Sequence, residues 1–321
     1  MTYFATASTG DEVTKHVIEN GDLRVSLLSW GAAIHEVHLK GVDHNLTLNC
    51  ETIEGYEGDC RYFGTLIGPL VNRISPARVT IDGMSYELER NLAGMIHLHS
   101  GSQATHLQNW TVTEASESRV VMSLELIDGA CGLPGNRVIT ATFEVLPANR
   151  LRLDISGTTD AKTVMNFANH SYWNLDGSDT YEGHSLQVTA DRYLPCDSND
   201  LATGEIADVS GTPMDFRTAK VLKAGKPAID NTFCLSDTLQ PLRDVMVLRG
   251  ASGVEMTVAT DQTGLQLFDG RSPARPGRKP HEGLAIETQA WPNAPHNPCF
   301  PNIEITPNAP YSQTTEWRFK A

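Results

Sequence analysis

The chain has 321 residues, a formal net charge of −14 and only 7% aromatic residues. That length is enough for a large hydrophobic core, and the acidic balance argues against nucleic acid or an anionic membrane as the main partner. No apolar run approaches the roughly 18 to 20 residues of a membrane-spanning helix.

In chain order, helical periodicity is nearly absent and short alternating or apolar runs recur between turn residues. LRVSLLSWGAAIHEVHL reads as two strands broken at Gly31. ARVTIDGMSYELE reads as a hairpin in which Val79 and Ile81 alternate with polar residues, Asp82-Gly83 turns the chain, and Tyr86 and Leu88 resume the pattern. WTVTEASESRVVMSLELID is a second strand pair. Further strands follow in VITATFEVLPANRLRLDISGTT, MNFANHSYWNL, HSLQVTADRYLP, DVMVLRGASGVEMTVATDQTGLQLFDG and EGLAIETQ. Such a sequence predicts an all-β protein of packed antiparallel sheets. No short fixed repeat points to a propeller or solenoid. No linker divides the chain, so a single domain over residues 1–321 is expected. The basic, Pro/Gly-rich stretch GRSPARPGRKPHEG (270–283) is expected to be a surface loop at the mouth of a site.

Six cysteines, Cys50, Cys60, Cys131, Cys196, Cys234 and Cys299, occur at irregular spacing without a CxxC pair. The N-terminal MTYFATASTGDEV has no basic region followed by an apolar run. Both features predict a cytoplasmic protein with reduced thiols.

Polar residues that break the strand pattern mark candidate sites. In AIETQAWPNAPHNPCFP, Glu287 is expected at the end of a buried strand, followed by a loop stiffened by Pro292, Pro295, Pro298 and Pro301. It is the first candidate for a catalytic base. In MNFANHSYWNL, Asn169, His170 and Ser171 interrupt an apolar and aromatic strand, and burying them unpaired would cost on the order of 2 kcal/mol each or more. A histidine there can give or take a proton near neutral pH. Asn72 and Arg73 lie between an apolar strand and the hairpin, and the Arg fork suits several oxygens at once. His97 and His99, two apart in MIHLHSG, are expected on one face of a strand, with His99 lining a pocket. A metal site would need three or four ligands, and neither HExxH nor paired cysteines complete one. Asp230 in AIDNTFCL and Gln266 in GLQLFDG are weaker signals, each compatible with a turn former or edge residue.

Taken together and in this order, these motifs resemble the aldose 1-epimerases, or galactose mutarotases, across nearly the whole chain. VNRISPARVTIDG is similar to the family's NRI-plus-hairpin segment and LHSG to its LHGG. LPGNRVITATFEVL through FANHSYWNL resembles its PGN…TNHSYFNL region, and DNTF its DHxF. QLFDGR looks like its QFYTGN, and IETQAWPNAPHNPCFP like its LETQ-x-x-PDAxN-x-x-FP. Four positions depart from the pattern: Pro69 stands for the Arg of GRxxNR, Ser100 for the second Gly of LHGG, Asn231 for the His of DHxF and Arg271 for the Asn of TGN.

The resemblance implies a large β-supersandwich and an enzyme that interconverts the α and β anomers of a free aldose. It implies Glu287 as general base and His170 as general acid. His99, Asp230 and Arg73 would hold sugar hydroxyls or polarise the ring oxygen, with Asn72 and Gln266 in support. It implies a small-molecule sugar as the partner, no metal or organic cofactor, and a monomer or homodimer. Anomer exchange needs a proton removed from the C1 hydroxyl and one delivered to the ring oxygen, so Glu287 ionised and His170 protonated is the expected starting state. Other readings of the same residues are a glycoside hydrolase with Asp230 as second carboxylate, a non-catalytic sugar-binding protein, and an enzyme of this fold acting on an anionic sugar through Arg271, Arg275, Arg278 and Lys279.

Overall fold

The computed structural model describes residues 1–272, 275 and 277–321. Pro273, Ala274 and Pro276 of the 270–283 loop lie outside the described residues.

Alternation converts directly into sheet. In Arg137–Leu146, Ile139, Ala141, Phe143 and Val145 are buried while the residues between them are exposed or half-buried. This strand is third in a nine-stranded sheet whose order is Thr111–Ala115, Arg119–Leu126, Arg137–Leu146, Arg150–Thr159, Tyr311–Lys320, Glu255–Thr260, Arg243–Arg249, Ser185–Val188 and Lys220–Val221. A six-stranded sheet runs Tyr172–Trp173, Leu284–Gln289, Gly264–Phe268, Asp230–Cys234, Arg192–Leu194 and Ala207–Asp208. The N-terminal strands Thr2–Thr6, Glu12–Asn20, Leu23–Leu28 and Ala33–Leu39 form a four-stranded sheet in chain order. Neighbouring strands in all three sheets pair antiparallel.

The turn signals fall where the sequence puts them. Gly31 takes a left-handed φ of 62°, and a Cβ there would lie 2.9 Å from the His106 carbonyl oxygen. Asp82 (φ 49°) and Gly83 (φ 80°) close the hairpin of Arg78–Ile81 and Met84–Glu87, the paired positive φ of a type I′ turn. Among the described residues helix is limited to Ile53–Glu57 and a few 3₁₀ turns. No helix among the described residues is long and apolar enough to cross a membrane.

The inner faces of the three sheets share one core. Val25 and Leu27, Ile139 and Phe143, Leu265, Leu267 and Ile286, and Trp317 and Phe319 belong to the same buried cluster. Because Leu265, Leu267 and Ile286 point into it, the alternate residues Gln266 and Glu287 point to the other face of the six-stranded sheet. That face carries the candidate site.

Candidate active site

Strand register delivers the first group of side chains. Gln266 pairs with Glu287, Thr232 pairs with Gln266, and Asp230 begins the next strand opposite Phe268. Directly paired residues share a face. Gln266 Nε2 donates to Asp230 Oδ1 (2.6 Å), Thr232 Oγ1 donates to Gln266 Oε1, and Arg73 Nη2 donates to the other Asp230 oxygen, Oδ2 (3.2 Å). All six residues of Leu284–Gln289 are buried. Glu287 therefore stands in mid-strand, fourth of six, and not at the strand end that the proline tract suggested.

His170 is placed by a change of strand partner. Ala168–Asn169 pairs with Leu66–Ile67, whereas Tyr172–Trp173 pairs with Ala285 and Leu284. His170 lies between the two, its N–H donating to Thr65 O (2.9 Å) and its carbonyl accepting from Gly64 N (3.2 Å). Asn169 Nδ2 donates to Gly64 O (2.6 Å), which also accepts from Ile34 N (2.9 Å). Gly64 has φ 72°, and a Cβ there would lie 1.9 Å from the Ile34 carbonyl oxygen, so only glycine fits this junction. His170 Nε2 comes to 3.4 Å from Glu287 Oε1.

Asn72 and His99 are held in left-handed conformations (φ 67° and 51°), as are Ser100 (63°) and Gly101 (68°). Asn72 N donates to His99 Nδ1 (3.2 Å), His99 N donates to Asn72 O (3.0 Å), and Arg73 N donates to Asn72 Oδ1 (2.7 Å). The strand here is only His97–Leu98. Alternation ends before His99, so His97 does not share its face as expected: it turns away to the Glu89 carbonyl (Nδ1···O 2.7 Å).

One cavity of about 210 Å³ gathers Glu287, His170, Arg73, Asn72, His99, Asp230 and Gln266, the seven residues to which the family resemblance assigns roles. It also contains Tyr62, Tyr172, Phe268, Asp200 and Arg271. Tyr62 stacks on His170 (centroids 5.4 Å, interplanar angle 25°) and packs against His99 at 4.9 Å and His106 at 5.2 Å. Sequence reasoning missed it because an aromatic in RYFGTLIG reads as core. Asp200 carried only the signal of a turn former in DSNDLATG. A larger cavity of about 460 Å³, beside Leu239, Ile303 and Tyr311, holds Asp237 and Glu304 but no histidine or arginine.

Burial dominates the electrostatics. It raises the Glu287 carboxyl well above the usual carboxylate range, with Asp230 adding to the effect and Arg73 opposing it. Burial lowers His170 to about 4, and holds His99 far below its ordinary value with His170 contributing. Asp230 is raised to about 6 by burial, against the pull of Arg73. These directions oppose the expected starting state. Burial favours a protonated Glu287 beside a neutral His170, because it disfavours the charged form of each. Among the described residues no group of three His, Cys, Asp or Glu side chains converges as metal ligands.

The aldose 1-epimerase family model matches residues 14–318. The chain belongs to the aldose 1-epimerase family. Galactose mutarotase of Rattus norvegicus is 33% identical over 97% of this chain and 95% of its own length, and aldose 1-epimerase of Escherichia coli (strain K12) is 29% identical over 94% and 93%. An aldose epimerase homologue from C. elegans superposes with a TM-score of 0.90 at 28% identity, covering 96% of this chain and 99% of that one. Within the family pattern, the four departing positions are not equivalent. Pro69 is absent from the cavity wall, Ser100 turns its hydroxyl to Leu70 N (2.7 Å), and Asn231 donates to Leu194 O (3.0 Å). Of the four, Arg271 lines the cavity and the other three do not.

Proposed function

We propose that this protein is an aldose 1-epimerase acting on a free, uncharged aldose, with Glu287 and His170 as the proton-transfer pair. The observation that carries the reading is their 3.4 Å contact inside a cavity lined by hydroxyl-binding groups. The pair holds one exchangeable proton. Glu287 Oε2 has no hydrogen-bond partner among the described residues. A sugar C1 hydroxyl donating to that oxygen favours the carboxylate, and the proton passes across the contact to His170. Glu287 then takes the C1 hydroxyl proton as His170 protonates the ring oxygen. The C1–O5 bond breaks, rotation about C1–C2 presents the other carbonyl face, and reclosure runs with the two roles exchanged. No net proton is gained or lost. Arg73, Asp230 and His99 hold ring hydroxyls, Gln266 fixes Asp230, and Asn72 fixes Arg73 and His99.

Two observations favour this over the neighbouring readings. Asp230 has both oxygens engaged, by Gln266 and Arg73, and Glu287 has a histidine as its proton partner, which a paired-carboxylate hydrolase does not need. Arg271, Arg275 and Arg278 are already paired, with Asp269, with Glu282, and with Asp179 and Glu282, which speaks against an anionic sugar. The core shared by all three sheets supports one domain over the chain, and six cysteines without a disulfide support a cytoplasmic setting.

The test is polarimetry or NMR on a freshly dissolved pure anomer. Glu287→Gln and His170→Asn should each lose about 10²- to 10⁴-fold in kcat/KM, the usual worth of one acid–base role, with the circular dichroism spectrum unchanged. Near-wild-type mutarotation in either variant would disprove its assignment.

A further inference from the structure

Asp200 is not one of the residues the sequence singled out, yet its carboxylate lies between two guanidinium groups in the cavity. Its Oδ2 is 3.6 Å from Arg73 Nη2 and its Oδ1 is 3.6 Å from Arg271 Nη1. Both guanidinium groups are anchored elsewhere. Arg73 is bonded to Asp230, and Arg271 gives its Nε (2.9 Å) and Nη2 (3.3 Å) to the buried Asp269 while its guanidinium lies 5.5 Å from the Phe268 ring centroid. Arg73 reaches Asp200 with the same Nη2 that it shares with Asp230, and Arg271 turns its remaining Nη1 to Asp200.

The turn that carries Asp200 supports itself. Asp197 Oδ1 accepts from Asn199 N (2.7 Å) and Leu201 N (3.1 Å), Asp197 N donates to Leu201 O (2.9 Å), and Cys196 bridges to Ala202. Asp200 itself sits at φ 57°, a left-handed conformation that Asp and Asn tolerate better than most residues. Its position is therefore set by the turn and not by the arginines. The 3.6 Å separations are ionic contacts longer than a hydrogen bond, so the carboxylate neutralises both cations without being locked to either.

A carboxylate on a sugar ring, meeting two arginines in this cavity, would take the place that Asp200 already fills. We infer that Asp200 is a specificity-determining residue that excludes anionic sugars by occupying, with its own carboxylate, the only Arg–Arg cradle among the described residues of the cavity. Discrimination of this kind works by repulsion and occlusion and needs no new contact to the preferred substrate. It rests on the epimerase reading and adds the residue that enforces the substrate class: neutral aldoses are accepted, and Asp200 refuses sugars that carry a carboxylate or phosphate on the arm remote from C1. Asp200 and Arg271 make no hydrogen bond or ion pair with Glu287 or His170 among the described residues, which keeps this device apart from proton transfer.

The test compares D-glucose with D-glucuronate, which differ only in the C6 carboxylate, in wild-type protein, Asp200→Asn and the double variant Asp200→Asn/Arg271→Gln. Asn keeps the turn and removes the charge. In Asp200→Asn the ratio of kcat/KM for glucuronate to that for glucose should rise at least about tenfold, mainly through KM, and the gain should shrink with added salt, as expected for an exposed ionic contact. The double variant should lose the gain. A general structural defect would lower both substrates together and leave the ratio unmoved. Wild-type protein that turns over glucuronate as well as glucose, or an unchanged ratio in Asp200→Asn, overturns the inference. Wild-type protein inactive on glucose and other neutral aldoses would instead overturn the epimerase reading beneath it.

Discussion

Mild acid should destabilise this protein before its ordinary carboxylates titrate. Seven of the eleven histidines, His16, His35, His97, His99, His106, His170 and His184, are buried, and burial lowers the proton affinity of each. His35 and His170 fall to about 4 and His106 to about 3. In the unfolded chain each takes its proton near pH 6.5. Between that pH and the folded value the unfolded state binds more protons, so the contribution is fully present above pH 6.5 and is lost as pH falls through the window. At pH 5, about 1.5 pH units below the unfolded value, each of these three refused protons costs roughly 2 kcal/mol. Asp230 and Glu287 act in the opposite sense. Their folded affinities are raised, so they bind protons more readily when folded, and Asp230, at about 6, returns roughly 1 kcal/mol at pH 5. With four further histidines on the destabilising side, the net loss between pH 7.5 and 5 should be about 2 kcal/mol or more, a large share of a typical 5–15 kcal/mol. Urea unfolding at constant ionic strength, followed by fluorescence of the five buried tryptophans, measures it. A stability that is flat or rises from pH 7.5 to 5 refutes the reasoning. His106→Asn should remove about one proton from the slope, roughly 1.4 kcal/mol per pH unit.

Substitutions at two positions probe how the site is held. Tyr62→Leu removes the ring stacked on His170 and should cost about fivefold in kcat, the order expected from one aromatic contact of about 1 kcal/mol, with KM little changed; Tyr62→Phe keeps the ring and should keep the rate. Equal losses in both variants would mean that the hydroxyl and not the ring matters. Gly64→Ala forces a Cβ to within 1.9 Å of the Ile34 carbonyl and should destabilise by roughly 3 kcal/mol or more; a thermal midpoint within about 1 °C of wild type would show that the backbone junction beside His170 yields freely.

How much was legible in the sequence follows physical lines. Wherever one face of a strand is buried, alternation had to show, and Arg137–Leu146 and the Asp82-Gly83 hairpin could be read directly. The polar interruption at Asn169–Ser171 falls where His170 enters the cavity wall, but its cause was hidden: the chain changes strand partner there, and pairing is a long-range fact. His97 and His99 show the opposite failure. Strand periodicity was extended one residue too far, because nothing local announces that His99 and Ser100 would take left-handed φ ahead of Gly101. Mid-strand Glu287 was misplaced for a related reason, since the proline tract marks the stiff loop and not where hydrogen bonding to Gly264–Phe268 stops. Tyr62 and Asp200 were invisible as site residues because their types are at home in a core and a turn.

The starting protonation of the pair was also beyond the sequence, and it explains why the site is buried so deeply. In water a carboxyl and an imidazole differ by about 2 pH units in proton affinity, in favour of imidazole. Such a pair would hold its proton firmly on the histidine. Burial raises Glu287 and lowers His170, so each shift erodes that preference. Anomer exchange makes a particular demand here. Ring opening and ring closure are the same proton transfers run in opposite directions, and either anomer may be the substrate. A pair strongly biased toward one partner would speed one half-reaction and retard the other. Desolvation removes the bias toward the histidine and leaves the proton on Glu287, and a sugar hydroxyl that stabilises the Glu287 carboxylate offsets that opposite bias, so that a buried pair with substrate bound can serve both directions.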